Sequence, residues 1–283
     1  MINIIQYWTI LCFSTVVFCS CYSNNQQESS LIDSGNDPHF KIVAHSDQGF
    51  ENFNRKTIVF GIDIYAMLKV EDVKLIHAAN VLAQYLDNDE NGQPDDELLI
   101  KTLQKNEAFL VMWKDENDLD IEPPSNRLGQ DLGNDETNPD YVYNGMTGPF
   151  DATLEEVLHL INGGHSLAYP EVFGQKVGSQ LADAMDIARG GQFLEIPDQY
   201  PESAWYSYDD ETCEYAGCMT IEYLYWSITS ILGAQSNRLE EIKKEWKLNT
   251  PALVKEKDGA IYAILTNPTY KIPKHLPDGK YRQ

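Results

Sequence analysis

Glu155, Glu156 and His159 fall within the run Thr153-Leu154-Glu155-Glu156-Val157-Leu158-His159-Leu160-Ile161, and His165 follows shortly after. A carboxylate and an imidazole four positions apart on a helix share one face, a spacing that lets both reach a single metal ion. Glu155 and His159 have that spacing, while Leu154, Val157, Leu158 and Ile161 form the opposite, core-facing stripe. Gly163 and Gly164 are expected to end the helix and let the chain swing His165 back toward the polar face. Glu222 is a further candidate. It stands in Met219-Thr220-Ile221-Glu222-Tyr223-Leu224-Tyr225-Trp226, an otherwise apolar helix in which an acid needs a partner or suffers desolvation. The same residues also admit a plainer reading. Thr153-x-x-Glu156 is a capping box, which would fold Glu156 onto the helix N-terminus, leave Glu155 solvated and make His159 a partly buried imidazole.

With His165, the run Glu155-Glu156-Val157-Leu158-His159 resembles the zincin metallopeptidase signature HExxH and its longer metzincin form HExxHxxGxxH. The resemblance implies Glu156 as the general base, and His159 and His165 as zinc ligands. Glu155 stands where the first His belongs, and Asn162 where the turn Gly belongs. Carboxylate oxygen also binds Zn²⁺, so Glu155, His159 and His165 form a chemically sound set. The extra negative charge would weaken the ion as a Lewis acid. Gluzincins recruit a Glu from a later helix. On that pattern Glu155, His159 and Glu222 hold the zinc, and His165 supports the transition state. Met219 invites comparison with the metzincin Met-turn. Aromatics crowd the polar loops at Tyr169-Pro170 and from Tyr200 to Tyr208, a composition suited to a cleft wall that holds peptide or sugar. Tyr169 is the candidate donor to a developing oxyanion.

A second cation pattern lies in Asp87-Asn88-Asp89-Glu90-Asn91-Gly92-Gln93-Pro94-Asp95-Asp96-Glu97. Hard cations take several oxygen ligands, and alternate residues of a tight loop can aim them at one centre. The segment resembles an EF-hand loop. The resemblance assigns Asp87, Asp89, Asn91 and Asp95 to Ca²⁺, with Gly92 making the sharp turn. Leu98 occupies the twelfth position, where a bidentate Glu is usual. The alternative is a solvated turn whose Asp95, Asp96 and Glu97 stabilise the start of the next helix.

Residues 7–18 form an apolar run of signal-peptide length, followed by Cys19-Ser20-Cys21 and a polar stretch. This resembles a bacterial lipoprotein signal, which implies cleavage after Ser20, lipidation of Cys21, and an exported, membrane-anchored protein in the periplasm or on the cell surface. Cys213 and Cys218 are then the cysteines of the mature body. In an oxidising compartment they are expected to form a local disulfide that fixes how the following helix begins.

The chain has 283 residues with 21 Lys and Arg against 44 Asp and Glu, a net charge of −23 that disfavours nucleic acid. No phosphate-binding Gly loop and no G-x-S-x-G elbow is present. Residues 1–20 read as signal, 21–40 as flexible tether, and 41–283 as one globular domain, with a split near 115–150 as the alternative. Within it, 56–68 and 108–113 read as strands. Helices are expected at 70–86, 95–105, 153–161, 175–188, 219–232, 239–246 and 250–265, and 114–150 reads as a long polar loop. The expected fold is α+β and mostly helical, a zincin-like helix core with a small sheet and an EF-hand-like helix–loop–helix. Two functions compete. One is an exported metal-dependent hydrolase of zincin type, acting on peptide or another polymer. The other is a non-catalytic, calcium-stabilised surface binding lipoprotein.

Overall fold

Positions 56–68 do not run as one strand, because Phe60 and Gly61 both take positive φ (48° and 81°) and turn the chain back on itself. The result is a hairpin of β1 (Arg55–Val59) and β2 (Ile62–Ala66). A two-residue turn with two positive φ values matches the twist of the paired strands. The computed structural model describes residues 40–115, 124, 126–210 and 213–281. The signal-like run, Cys21 and the tether up to residue 39 lie outside the described residues.

From β2 the chain enters α1 (Asp72–Leu86) and α2 (Glu97–Lys105), then returns as β3 (Phe109–Trp113) parallel to β2. A fourth strand, β4 (Gly129–Gly133), pairs parallel to β3 and completes the order β1-β2-β3-β4. This strand sits inside the stretch expected to be a polar loop. Its sequence, GQDLG, has no strand periodicity, and its place comes from backbone pairing to the buried apolar run of β3. Gly129 fits only because it lacks a side chain, since a Cβ there would lie 2.3 Å from the Phe109 ring.

Helix α3 (Thr153–Ala168) runs on through both glycines that were expected to end it. Neither Gly163 nor Gly164 takes a positive φ. They serve close packing instead. A Cβ on Gly163 would lie 2.8 Å from Leu128, and one on Gly164 would lie 2.5 Å from Leu103. Two bare positions thus let α2 and the segment before β4 approach α3 closely, and α3 also packs on α1, β4 and the later helix α5 (Thr220–Leu232). After α4 (Gln180–Arg189), started by the Ser179 cap, the Cys213–Cys218 disulfide forms as expected, just before α5 (Thr220–Leu232). The short α6 (Leu239–Ile242) follows. The helix expected at 250–265 is two, α7 (Pro251–Lys257) and α8 (Gly259–Leu265). Between them, buried Asp258 accepts hydrogen bonds from Trp205, Tyr223 and the Ile261 amide. Helix makes up 39% and strand 10%, so the α+β expectation with a small sheet holds, helix being the commoner element, with eight helices among the described residues.

Replacing Gly164 tests the packing directly. Gly164→Val is expected to lower the unfolding free energy in urea titrations by about 1–3 kcal/mol, the usual cost of overpacking. A variant as stable as the parent would mean that α2 is not held this close to α3.

Candidate metal centre

Where α3 crosses α5, Glu155, His159 and Glu222 each bring a ligand atom within 4.8 Å of the others. The fourfold spacing on α3 puts Glu155 and His159 on one face. Helix α5 presents Glu222 opposite, with Tyr225 one turn further on. The His159 ring is buried and packs edge-on against Tyr225, with centroids 5.4 Å apart. Its Nε2 lies 3.5 Å from Glu222 Oε2 and is buried without a hydrogen-bond partner. Its Nδ1 lies 3.4 Å from Glu156 Oε2. That same oxygen accepts a 2.5 Å hydrogen bond from Gln130 Nε2 on β4.

Electrostatics here are strained toward a cation. Burial, reinforced by Glu222 and Glu156, pushes the Glu155 carboxyl up to about 8, against the pull of His159 and a hydrogen bond from Tyr225. Burial works against a charged imidazole, yet the flanking Glu222 and Glu156 outweigh it and hold His159 well above its ordinary value. The surround adds more acid. Glu245 accepts from Trp226 Nε1 at 2.7 Å, and burial together with Glu222 and Asp209 pushes it up to about 7. Burial also raises Glu136, which feels Glu156 and Asp131. Two carboxylates and one imidazole suit a divalent ion, and the unpartnered Nε2 is the nitrogen such an ion would take.

Several expected residues stand elsewhere. On an uninterrupted helix His165 lies about 240° round from His159, so it cannot join the same face. It packs instead against Phe173 at 5.2 Å, and burial lowers its pKa to about 4. Tyr169 caps the far end of α3 and donates to Asp96 Oδ2 at 2.7 Å, which commits its hydroxyl to helix α2 rather than to a substrate. The capping box does not form either, because Thr153 Oγ1 has no partner and α3 begins without a side-chain cap. Asn162, one turn beyond His159, is buried with both amide atoms unpaired. Gln130, Tyr225 and Glu245 were not legible as site residues. Gln130 sits in a strand without pattern, Tyr225 reads as core, and Glu245 belongs to the charged run Lys243-Lys244-Glu245.

The second acidic group forms between α1 and α2. Asp87, Asp89 and Asp95 bring carboxylate oxygens within 4.8 Å of one another. Asp87 accepts from the Asn91 and Gly92 amides at 3.0 and 2.7 Å and from the Tyr281 hydroxyl at 2.5 Å. Asn91 turns its own Oδ1 to the Gln93 amide. Asp96 caps α2 through the Leu98 and Leu99 amides, as the alternative reading of this loop expects for an acid here.

Burial of His165 has a pH signature. The unfolded chain binds a proton below pH 6.5 that the folded chain refuses until about pH 4. The stability held by neutral His165 is therefore complete above pH 6.5 and declines as pH falls, by up to about 1.4 kcal/mol per unit. Between pH 7 and pH 5 the wild type should lose about 2 kcal/mol more unfolding free energy than His165→Gln; equal losses would contradict the assignment. No protein-family model, no curated protein and no solved structure matches this chain.

Proposed function

We propose that the chain is an exported, lipid-anchored hydrolase, zincin-like in its helix α3, that cleaves peptides or a related polymer with a zinc ion held by Glu155, His159 and Glu222. The observation that carries this reading is the convergence of those side chains from α3 and α5, with a buried ring nitrogen that lacks any other partner. Three protein ligands are the number that leaves a position for water or substrate. A zinc ion bound there would supply Lewis acidity toward a carbonyl and make a bound water acidic. The protein's own contribution is to hold the donors on two packed helices, so that little reorganisation is needed on binding. The acidic surround of Glu245, Glu136 and Asp209 disfavours anionic substrates such as phosphate esters and is compatible with neutral or basic peptides. The Cys213–Cys218 disulfide supports an oxidising compartment.

Metal analysis of tag-free protein tests this. Wild type should carry about one zinc per chain and cleave quenched fluorescent peptides, and both properties should fall at least tenfold in His159→Ala and Glu222→Ala. Wild-type protein that takes up no transition metal after incubation with zinc would sink the reading.

A second reading, a non-catalytic binding lipoprotein stabilised by calcium, draws on the Asp87, Asp89 and Asp95 grouping. A millimolar site at 10 mM Ca²⁺ would raise Tm by about 3–5 °C relative to EDTA. The rise should vanish in Asp89→Ala. A Tm indifferent to Ca²⁺ would leave this loop as a capped turn only.

A further inference from the structure

Two acids, Glu222 of α5 and Glu156 of α3, meet the His159 ring at different nitrogens. Glu155 groups with Glu222 and the imidazole, and Nε2 is the ring nitrogen nearest Glu222, at 3.5 Å. Glu156 stands at Nδ1, 3.4 Å away. The two ring nitrogens point away from one another, so a carboxylate against Nδ1 stands across the imidazole from whatever Nε2 binds. A group so placed is badly sited to take a proton from a water beyond Nε2. It is well sited to accept the Nδ1 proton, which fixes the tautomer that leaves the Nε2 lone pair free.

Glu156 is itself held. Gln130 Nε2 donates to the same Oε2 that faces His159, so this oxygen is pinned between a β4 amide and the imidazole. Tyr225 packs on the ring from α5 and blocks its rotation on that side. The zincin resemblance makes Glu156 the general base. The geometry points to a different task.

Resting on the metal reading above, we infer that Glu156 is a positioning residue: anchored by Gln130, it accepts the Nδ1 proton of His159 and orients Nε2 toward the ion shared with Glu155 and Glu222. The sheet thereby takes part in the centre through β4, and the paired acids of α3 divide between holding the ion and aiming the imidazole of His159.

Zinc affinity and histidine NMR test this without any substrate. Zinc dissociation constants are measured by competition with a chromophoric chelator for wild type, Glu156→Gln, Glu156→Asp and Gln130→Ala. Loss of an outer partner of a ligating histidine typically weakens metal binding about 10–100-fold. Glu156→Asp keeps the charge but withdraws the carboxylate from Nδ1, so its affinity should fall by about as much as that of Glu156→Gln. Gln130→Ala changes no charge and should fall in the same direction by a smaller factor. Combining Gln130→Ala with Glu156→Gln should add little. In zinc-loaded wild type, ¹⁵N shifts of His159 should show the proton on Nδ1 and zinc on Nε2. Zinc on Nδ1, or Glu156→Asp and Gln130→Ala binding zinc as tightly as wild type, would overturn the inference and leave the metal centre standing. Wild type that binds no zinc would overturn the metal centre itself, and this role with it.

Discussion

Helix α3 can be surrounded on so many sides because two of its positions carry no side chain. Gly163 and Gly164 admit Leu128 and Leu103 to distances that any Cβ would forbid, and this fixes the rotation of the helix as well as its depth. With Gly163 held against Leu128 and Gly164 against Leu103 the helix cannot roll, and its N-terminal turns keep Glu155 and His159 facing Glu222 of α5. The placement of the acidic cluster is therefore a consequence of close packing elsewhere on the same helix. A buried rod cannot turn a few tens of degrees without breaking its neighbours' contacts.

Bringing Glu155 and Glu222 together around one imidazole is unfavourable without compensation, and the structure supplies only part of it. Tyr225 donates to Glu155, Gln130 to Glu156 and Trp226 to Glu245, each satisfying a single oxygen. The raised carboxyl of Glu155 records the remainder. Such an arrangement either keeps protons at neutral pH or exchanges them for a cation, and cation binding of that kind is coupled to proton release. In the acidic loop the opposite solution is used. Asp87 is itself buried, and burial raises its carboxyl, but its oxygens are taken up by backbone amides and Tyr281, while the neighbouring Asp89 is exposed to water.

What could be read from residue order was local. The fourfold spacing of Glu155 and His159, and an acid stranded in the apolar run around Glu222, both point inward by elementary helix geometry. The disulfide follows from two neighbouring cysteines. Misreadings arose where one residue type serves two purposes. Gly-Gly both stops helices and admits neighbours, and only Leu99, Leu103 and Leu128, distant in sequence, decide between them. Phe60-Gly61 hides a hairpin inside an apolar run because the turn is two residues long. Strand β4 was invisible because its pairing is made by backbone groups, which every residue has. Glu156 is the subtlest case. Motif and cap predict two roles for it, while Gln130 reaches it from a strand that the pattern does not reveal.

The last described residues lie along the first helix. The amides of Gly279 and Tyr281 donate to Gln84 and Asn80, and the Tyr281 hydroxyl reaches Asp87. These pairs join residues 194 to 201 positions apart. The Asn80 and Gln84 side-chain oxygens thus meet these amides only after nearly the whole domain has been threaded into place. Closing so long a loop is entropically costly and rewards nothing until it is done, so sealing α1 belongs at the end of folding. Until then the acidic turn between α1 and α2 lacks its tyrosine. The order of events in folding thus determines when that loop first acquires its native shape.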